Sequence, residues 1–285
     1  MKALSYDAFT LKIIAVVAMV LNHIAIGLQP VLPFWPYIVF AAVGGATYVI
    51  MAFFVVEGYR HTSSLKRYIG RLLIFGFIAQ GFHSTVLGST AMVSGVFFLN
   101  IMFTITLSLL MLIAYDKIKI RPLFWILFVI SCIVSVFMDL PIIAVVGTLL
   151  YHAIKSKESR RRTVPGIVMG IFYAVVGLLS LFSVQMTKMA ALQGDADAVA
   201  LIEQLGGLDM MTMIMWATPV FALGAFLGAI LIRNFNGERG RRAKWLFYVA
   251  YPAHLAIIAL VMVLLGLAPS WIQLSIPPFF QIFML

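Results

Sequence analysis

The positively charged residues of this chain recur at intervals that are typical of a protein crossing a membrane many times. Of the 20 Lys and Arg residues, 19 fall in short segments separated by long apolar stretches. These segments are the amino terminus through Lys12 and the stretches 60–71, 117–121, 155–162 and 233–244. Lys and Arg accumulate in the cytoplasmic loops of membrane proteins. We therefore expect all five segments on the cytoplasmic face, with the amino terminus inside.

The composition excludes an ordinary soluble domain and predicts an all-α transmembrane bundle. Hydrophobic residues make up 63% of the 285-residue chain and charged residues only 11%, and the mean hydropathy is +1.08. An apolar helix of about 20 residues crosses a ~30 Å hydrocarbon core. Nine stretches suit such spans: residues 10–29, 35–56, 71–86, 95–115, 122–138, 140–154, 164–186, 210–232 and 244–267. The sequence therefore predicts one polytopic domain over residues 1–285, with an acidic extracytoplasmic loop at 187–209.

Two parts of this topology leave alternatives open. Residues 122–154 supply about 50 Å of helix at 1.5 Å per residue, whereas two crossings need roughly 60 Å. We predict two short or tilted spans that meet at Asp139 and Pro141, and one kinked helix is the alternative. The tail at 270–285 is apolar but contains Pro277 and Pro278. It suits an interfacial or re-entrant segment, and the alternative is a tenth span.

The sequence lacks the motifs of several common function classes. It contains no P-loop and no glycine fingerprint for dinucleotides. The single Cys132 excludes an intramolecular disulfide and, having no partner, offers no metal site. The basic clusters are explained by membrane topology, so we expect no nucleic-acid partner. The chain is predicted to be a multi-pass protein of the bacterial cytoplasmic (inner) membrane.

The first helix carries a histidine at mid-membrane depth. His23 follows Lys12 by 11 residues, a spacing that returns to within about 20° of the same helix face after a rise of about 16 Å. Ionisable side chains inside a membrane are costly and often functional. We expect a neutral ring that can accept a proton. The alternative is a histidine that bonds to a neighbouring helix for packing only.

A second histidine lies at a similar depth near the carboxyl end. His254 follows Lys244 by ten residues, and Phe247 and Tyr251 share its helix face because they are spaced four and three apart. Pro252 lacks the amide proton that a helix interior needs, so it is expected to kink the helix. These residues indicate a lined cavity, with a kinked packing helix as the alternative.

Several short motifs resemble the TraX family, which is named for a pilin acetylase. They span residues 6–255 and are Tyr6–Ala15 with Met19, Asn22 and His23; Glu57–Tyr59 leading to Tyr68, Arg71 and Leu72; Leu99–Ile101 with Phe103 and Thr104; Asn236–Gly240; and the Tyr251-Pro252-Ala253-His254 segment. The spacing of a base and His23 also resembles the wider acyltransferase family 3 group. The chain departs from the TraX pattern at Asn22, where an Asp is expected, so a charge partner for His23 at that position is in doubt.

The resemblance implies an acetyltransferase that uses cytoplasmic acetyl-CoA and no metal. His23 would act as general base, while Tyr251, Asn100 or His254 would donate to the developing oxyanion. The phosphates of CoA would bind to basic residues at the cytoplasmic ends of the helices, namely Lys12, Arg60, Lys66, Arg67, Arg71, Arg239, Arg241 and Arg242. The acceptor would carry an amine or a hydroxyl and approach from outside. A pilin-like or other peptide amino terminus and a glycan both fit this description.

Two other functions stay open on the sequence. A proton-coupled transporter or flippase would use the same histidines without acetyl-CoA chemistry. A non-catalytic assembly protein of an envelope system would not need His23. Direct transfer and an acetyl-histidine intermediate are both compatible with the residues.

Overall fold

The computed structural model describes residues 5–91, 98–155 and 158–269. Ten α-helices occur among them: α1 Ala8–Gly27, α2 Phe34–His61, α3 Leu65–Ala91, α4 Ile101–Lys117, α5 Arg121–Val134, α6 Ile143–Ala153, α7 Glu158–Leu192, α8 Ala196–Gln204, α9 Leu208–Arg233 and α10 Lys244–Leu264. The predicted all-α architecture is confirmed for these residues, whose β-bridges are two isolated pairs, Tyr6 with Phe235 and Leu99 with Met138. The predicted segment at 270–285 lies outside the described residues.

Six of the described helices are long and apolar enough to cross a membrane, namely α1, α2, α3, α7, α9 and α10. The chain therefore has the character of a membrane protein. The three other predicted spans, at 95–115, 122–138 and 140–154, correspond to α4, α5 and α6. These helices have 17, 14 and 11 residues. The described helices thus support six full-length spans, and the count of nine needs the three shorter helices to contribute.

Helices α5 and α6 form a hairpin whose turn packs against the start of α4. An 11-residue helix rises only about 16 Å, roughly half of the hydrocarbon core. Residues 138–142 at the tip are irregular, and Ala144 and Val145 just beyond it are buried. Non-helical backbone at membrane depth is tolerated where protein covers it or where it lines a cavity. The sequence predicted two short or tilted spans that meet at Asp139 and Pro141, and the turn does lie there between two short helices. Neither helix counts among the six that are long enough to cross a membrane.

Helix α9 packs against both α2 and α7. A Cβ atom on Gly45 of α2 would lie 1.9 Å from the carbonyl oxygen of Phe221, and one on Gly224 would lie 1.9 Å from that of Ala42. The two backbones therefore meet where neither helix has a side chain. Small residues permit this close approach between membrane helices, and Gly44 and Phe221 beside it line one of the two cavities described below.

The segment before α1 is tied to the connection between α9 and α10. The Tyr6 amide donates to the Asn234 carbonyl at 3.0 Å, and the Asn236 amide donates to the Tyr6 carbonyl at 2.9 Å. Asp7 caps α1 by accepting from the Thr10 amide at 2.7 Å, and this hydrogen bond lowers the pKa of the Asp7 carboxyl. Two stretches that are more than 220 residues apart in sequence thereby form one edge of the bundle.

The predicted loop at 187–209 is largely helical. Helix α7 continues to Leu192, α8 occupies Ala196–Gln204, and α9 begins at Leu208. Asp195 caps α8 by accepting from the amides of Asp197 and Ala198. Acidic residues at a helix start are stabilising, so the acidic composition that suggested a loop also suits a short amphipathic helix.

Candidate functional site: two adjoining cavities

A cavity of about 690 Å³ lies at the end of the bundle where α1 and α10 begin and α2 ends. Five Lys and Arg side chains line it against two glutamates, Glu57 and Glu238. The five are Lys12, Arg71, Arg239, Arg241 and Lys244. We call it the basic cavity. Its excess of positive charge suits a ligand with several negative charges, such as one carrying phosphates.

Aromatic rings hold the two innermost cations of the basic cavity. The Lys12 Nζ atom lies 4.7 Å from the ring centre of Phe54 and 5.6 Å from that of Phe247. The Arg71 guanidinium lies 5.5 Å from the ring centre of Tyr248, and its buried Nε has no hydrogen-bond partner among the described residues. Neither side chain forms an ion pair with a described carboxylate. Both cations are therefore available to an anionic ligand.

A second cavity, of about 320 Å³, extends from the first towards the middle of the bundle. Its described lining contains His23 and Tyr251 and is otherwise largely apolar. We call it the histidine cavity. The two cavities share four lining residues, Met51, Met102, Ile105 and Phe247. A long thin ligand could therefore place one end among the cations and the other beside His23.

The two predicted histidines contact each other. His254 Nε2 lies 3.3 Å from His23 Nδ1, and both rings are buried. His23 Nδ1 is also 2.9 Å from the Met19 carbonyl oxygen, and His254 Nδ1 is 2.8 Å from that of Ala250. A carbonyl only accepts, so in the neutral form each ring carries its proton on Nδ1.

This tautomer leaves one nitrogen of His23 free for chemistry. His23 Nδ1–H is shared between the Met19 carbonyl and His254 Nε2. His23 Nε2 is unprotonated and makes no hydrogen bond to any residue that the structure describes. Because the ring lines the histidine cavity, Nε2 can act as a general base on a molecule bound there, and His254 Nε2 can stabilise the imidazolium that forms.

The other two residues predicted for catalysis have different surroundings. Tyr251 packs edge-on against both histidine rings, with ring centres 6.3 Å from His23 and 5.7 Å from His254. Its buried hydroxyl has no partner within the described chain. Asn100 caps α4 by accepting from the Met102 amide, and it donates to the Gly76 carbonyl and to Gln80. The Asn100 amide is thus used within the fold, and Asn100 does not line the histidine cavity.

The predicted phosphate-binding residues divide into two groups. Lys12, Arg71, Arg239 and Arg241 line the basic cavity, whereas Arg60, Lys66, Arg67 and Arg242 do not. Arg60 instead bonds to Glu57 at 3.2 Å and faces a separate cavity with Asp116 and His152. Lys66, Arg67 and Arg242 are exposed. The structure also adds Lys244, for which the sequence pattern predicted only a cytoplasmic position.

Asn22 does not serve as a partner of the His23 ring. Its side chain faces α2, where a Cβ atom on Gly44 would lie 2.6 Å from the Asn22 Cβ. The His23 ring is held by Met19 and His254 instead. The departure from the TraX pattern at this position therefore leaves the hydrogen bonds of His23 intact.

Sequence reasoning missed a second polar pair near His23. His83 of α3 is 1% exposed, and its Nε2 lies 2.8 Å from the Asp139 carboxylate. Asp139 lines the histidine cavity. The sequence did contain a sign of this pair, because a histidine and an aspartate each lie in an apolar stretch. Ionisable residues inside a membrane usually pair with one another.

The chain is similar to known proteins over most of its length. A probable fimbrial assembly protein, FimC of serogroup H1 from Dichelobacter nodosus, is 29% identical over 263 residues, which cover 90% of this chain and 95% of that protein. No solved structure matches the chain. The sequence pattern of the family described as TraX protein matches residues 8–262. That match covers most of the chain, including both cavities, and the chain belongs to the TraX family.

Proposed function

We propose that this chain is a membrane-embedded acetyltransferase that moves an acetyl group from cytoplasmic acetyl-CoA to an amine or hydroxyl of an extracytoplasmic acceptor. The observation that carries the proposal is the pair of adjoining cavities. A cationic cavity at one end of the bundle continues into an apolar cavity that contains an imidazole with a free nitrogen. Acetyl-CoA has the matching shape, with phosphates at one end and a thioester at the end of a thin arm.

The orientation is part of the proposal and rests on the charge distribution. With the amino terminus in the cytoplasm, the basic cavity opens to the side where acetyl-CoA is found. The short α5–α6 hairpin begins and ends on the same side of the membrane. The orientation of the other helices therefore does not depend on whether its two arms count among the nine crossings. We place the chain in the bacterial inner membrane. Reporters fused at Thr90 and Ala200 should report outside, and an outside signal at Arg160 contradicts this topology.

The donor would bind through charge at one end and through shape at the other. Lys12 and Arg71, which lack carboxylate partners among the described residues, would bind phosphate oxygens, with Arg239, Arg241 and Lys244 at the mouth. Charge-assisted hydrogen bonds to phosphate are the stronger kind. The arm would then pass the shared lining residues Met51, Met102, Ile105 and Phe247, and the thioester would arrive beside His23.

In the proposed reaction, the free nitrogen of His23 carries one proton from the acceptor to the leaving group. The nitrogen or oxygen of the acceptor attacks the acetyl carbon while His23 Nε2 takes the proton that the nucleophile loses. The carbon–sulfur bond then breaks, and the CoA thiolate leaves and receives that proton from His23. The Tyr251 hydroxyl, which lacks a partner among the described residues, would donate to the carbonyl oxygen as charge develops there. An acetyl group carried on His23 is a second route with the same overall balance.

The relative suggests the setting of the reaction. Its name refers to fimbrial assembly, and we extend that setting to this chain, with a pilin-like peptide amino terminus as the leading acceptor. The acidic segment at 187–209 would attract such a cationic group.

Thermal unfolding of the purified protein tests donor binding. A ligand that binds only the folded state stabilises it by about 2.7 kcal/mol at 100 times its Kd. Acetyl-CoA should raise the unfolding temperature, and the labelled acetyl group should appear on a peptide amino terminus in the presence of the protein. Absence of both effects, together with His23-dependent movement of a solute across vesicles, would instead identify a transporter.

A further inference from the structure

The connection between α5 and α6 holds an unusual backbone conformation. Leu140 and Ile142 have φ angles of +53° and +60°, a region that L-residues rarely adopt and that β-branched residues adopt least. Backbone strain of this kind persists only where the surrounding structure maintains it, and it concentrates at binding and catalytic sites. The residue at the start of this segment is Asp139.

Asp139 is held at its backbone and at its side chain. Its amide donates to the Leu99 carbonyl at 2.9 Å, and its own carbonyl accepts from the Thr104 hydroxyl at 2.8 Å. The side chain accepts from His83 Nε2–H through Oδ2 at 2.8 Å. The second carboxylate oxygen, Oδ1, has no hydrogen bond to any described residue. Asp139 is thus fixed in place, with one oxygen available to a ligand.

The free oxygen belongs to a residue that lines the histidine cavity. Asp139 is the one carboxylate among the described lining residues, which include no Lys and no Arg. Tyr173 and Tyr251 line the same cavity, and both of their buried hydroxyls lack partners in the described chain. A carboxylate oxygen without a hydrogen bond in largely apolar surroundings favours a ligand that donates one, and a charged donor forms the stronger bond.

We propose that Asp139, oriented by His83, is the residue that binds the acceptor, and that it selects a protonated primary amine over a neutral alcohol. The ammonium group would donate to Asp139 Oδ1 and bring its nitrogen into the cavity that contains His23. Before the attack the nitrogen would pass one proton to Asp139 and become a neutral amine. His23 would then take the second proton as the amide bond forms, and the proton on Asp139 would leave to water with the product. His83 acts as a positioning residue, because it holds the carboxylate and does not itself line the cavity. This inference rests on the proposed acetyl transfer and names the chemistry of its acceptor.

Two ligands of equal length test the selection. Butylamine, which is protonated at pH 7, and 1-butanol differ mainly in charge. The unfolding temperature of the purified full chain should rise with butylamine and stay unchanged with 1-butanol. Asp139→Asn keeps the shape of the side chain and should weaken the butylamine response at least tenfold, while the response to acetyl-CoA stays as in the wild type.

Matched variants separate binding from folding. Glu158→Gln removes an exposed carboxylate outside both cavities and outside the acidic segment and should leave the butylamine response unchanged. His83→Gln retains an amide donor for Asp139 and should keep most of that response, whereas His83→Ala should lose it. If Asp139→Asn does not fold, the difference between these two His83 variants decides the test. Should no variant in the pair fold, the comparison of butylamine with 1-butanol in the wild type decides it.

The outcomes distinguish this inference from the proposed function. Equal responses to butylamine and 1-butanol, or an undiminished butylamine response in Asp139→Asn, would overturn the role of Asp139 even if acetyl-CoA binds. The protein could instead respond to butylamine only when Asp139 is present and yet fail to bind acetyl-CoA. That result would support the amine site at Asp139 and contradict the proposed acetyl transfer.

Discussion

The basic cavity and the histidine cavity adjoin each other but are built in opposite ways. The basic cavity is about twice as large, and its charged groups stand at helix ends and on the connection between α9 and α10. The histidine cavity lies within the bundle. There the buried rings of His23 and His254 each bond to a backbone carbonyl oxygen, and they contact each other at 3.3 Å between two nitrogens. Several charged side chains with similar roles line the basic cavity, whereas a few polar groups held by hydrogen bonds line the histidine cavity.

This difference predicts a division of labour. Charges at a wide mouth are partly screened by water, so each contributes a limited share of affinity. Groups in an apolar cavity act at short range, and losing one of them has a large effect because no water replaces it. Variants in the histidine cavity should therefore change the rate of transfer, and variants in the basic cavity should change the binding of the donor.

The largest expected effect is that of His23→Ala. A general base contributes about 10²–10⁴-fold to a rate, so acetyl transfer should fall by this factor while acetyl-CoA binding stays within about twofold. Turnover with labelled acetyl-CoA and a peptide acceptor measures the first quantity, and thermal unfolding measures the second. His152→Gln changes a histidine outside both cavities and serves as the control. Undiminished transfer by His23→Ala would contradict the role of His23 as general base.

The second largest effect is expected on donor binding, and Arg71→Ala should weaken it more than Arg67→Ala. A hydrogen bond to a charged group contributes about 1.5–3 kcal/mol, so Arg71→Ala should raise the Kd for CoA by roughly 10- to 150-fold. Arg67 is exposed on the same helix but does not line the basic cavity, so Arg67→Ala should change the Kd by less than about threefold. Calorimetry at one salt concentration compares the two. Equal losses would mean that general charge, and not this cavity, attracts the ligand.

A smaller loss is expected at His254. Replacing it with Phe removes one of the two acceptors for His23 Nδ1–H and leaves the Met19 carbonyl, and one neutral hydrogen bond contributes about 0.5–1.5 kcal/mol. Transfer should fall by roughly 2- to 10-fold with His254→Phe, whereas His254→Gln, whose amide oxygen can accept, should lose less. In the His23→Ala background the His254 substitution should cost nothing further, because the two residues act together. Additive losses would show that His254 acts independently.

The smallest effect concerns the cap of α1 and depends on pH. The Thr10 amide lowers the pKa of the Asp7 carboxyl in the folded state, so the ionised Asp7 stabilises the fold above the pKa of the unfolded chain. That contribution is lost as the pH falls through the lowered pKa, below about pH 4. Asp7→Asn keeps a capping side chain but does not titrate. Its unfolding temperature should therefore approach that of the wild type between pH 5 and pH 3, and a constant difference would contradict this reasoning.

Local spacing predicted the face of each helix, but it did not predict which residues meet. The 11-residue interval between Lys12 and His23 placed both on one side of α1, and the structure has them lining adjoining cavities. The contact between His23 and His254 joins positions 231 residues apart, and only the packing of α10 on α1 makes it. Arg60 and Arg71 look alike in sequence, yet Arg60 turns to Glu57 and Arg71 to the basic cavity.

By itself, the sequence determined the membrane character, the all-helical architecture and the shared helix face of Lys12 and His23. These follow from apolar length, charge alternation and the rise of a helix, which are properties of neighbouring residues. The tertiary structure alone decided that α5 and α6 form a short hairpin, that its strained tip brings Asp139 to His83, and that the cavity beside them contains His23. Such contacts depend on how helices pack side by side, and the close approach of α2 and α9 at Gly45 and Gly224 is set by both helices together.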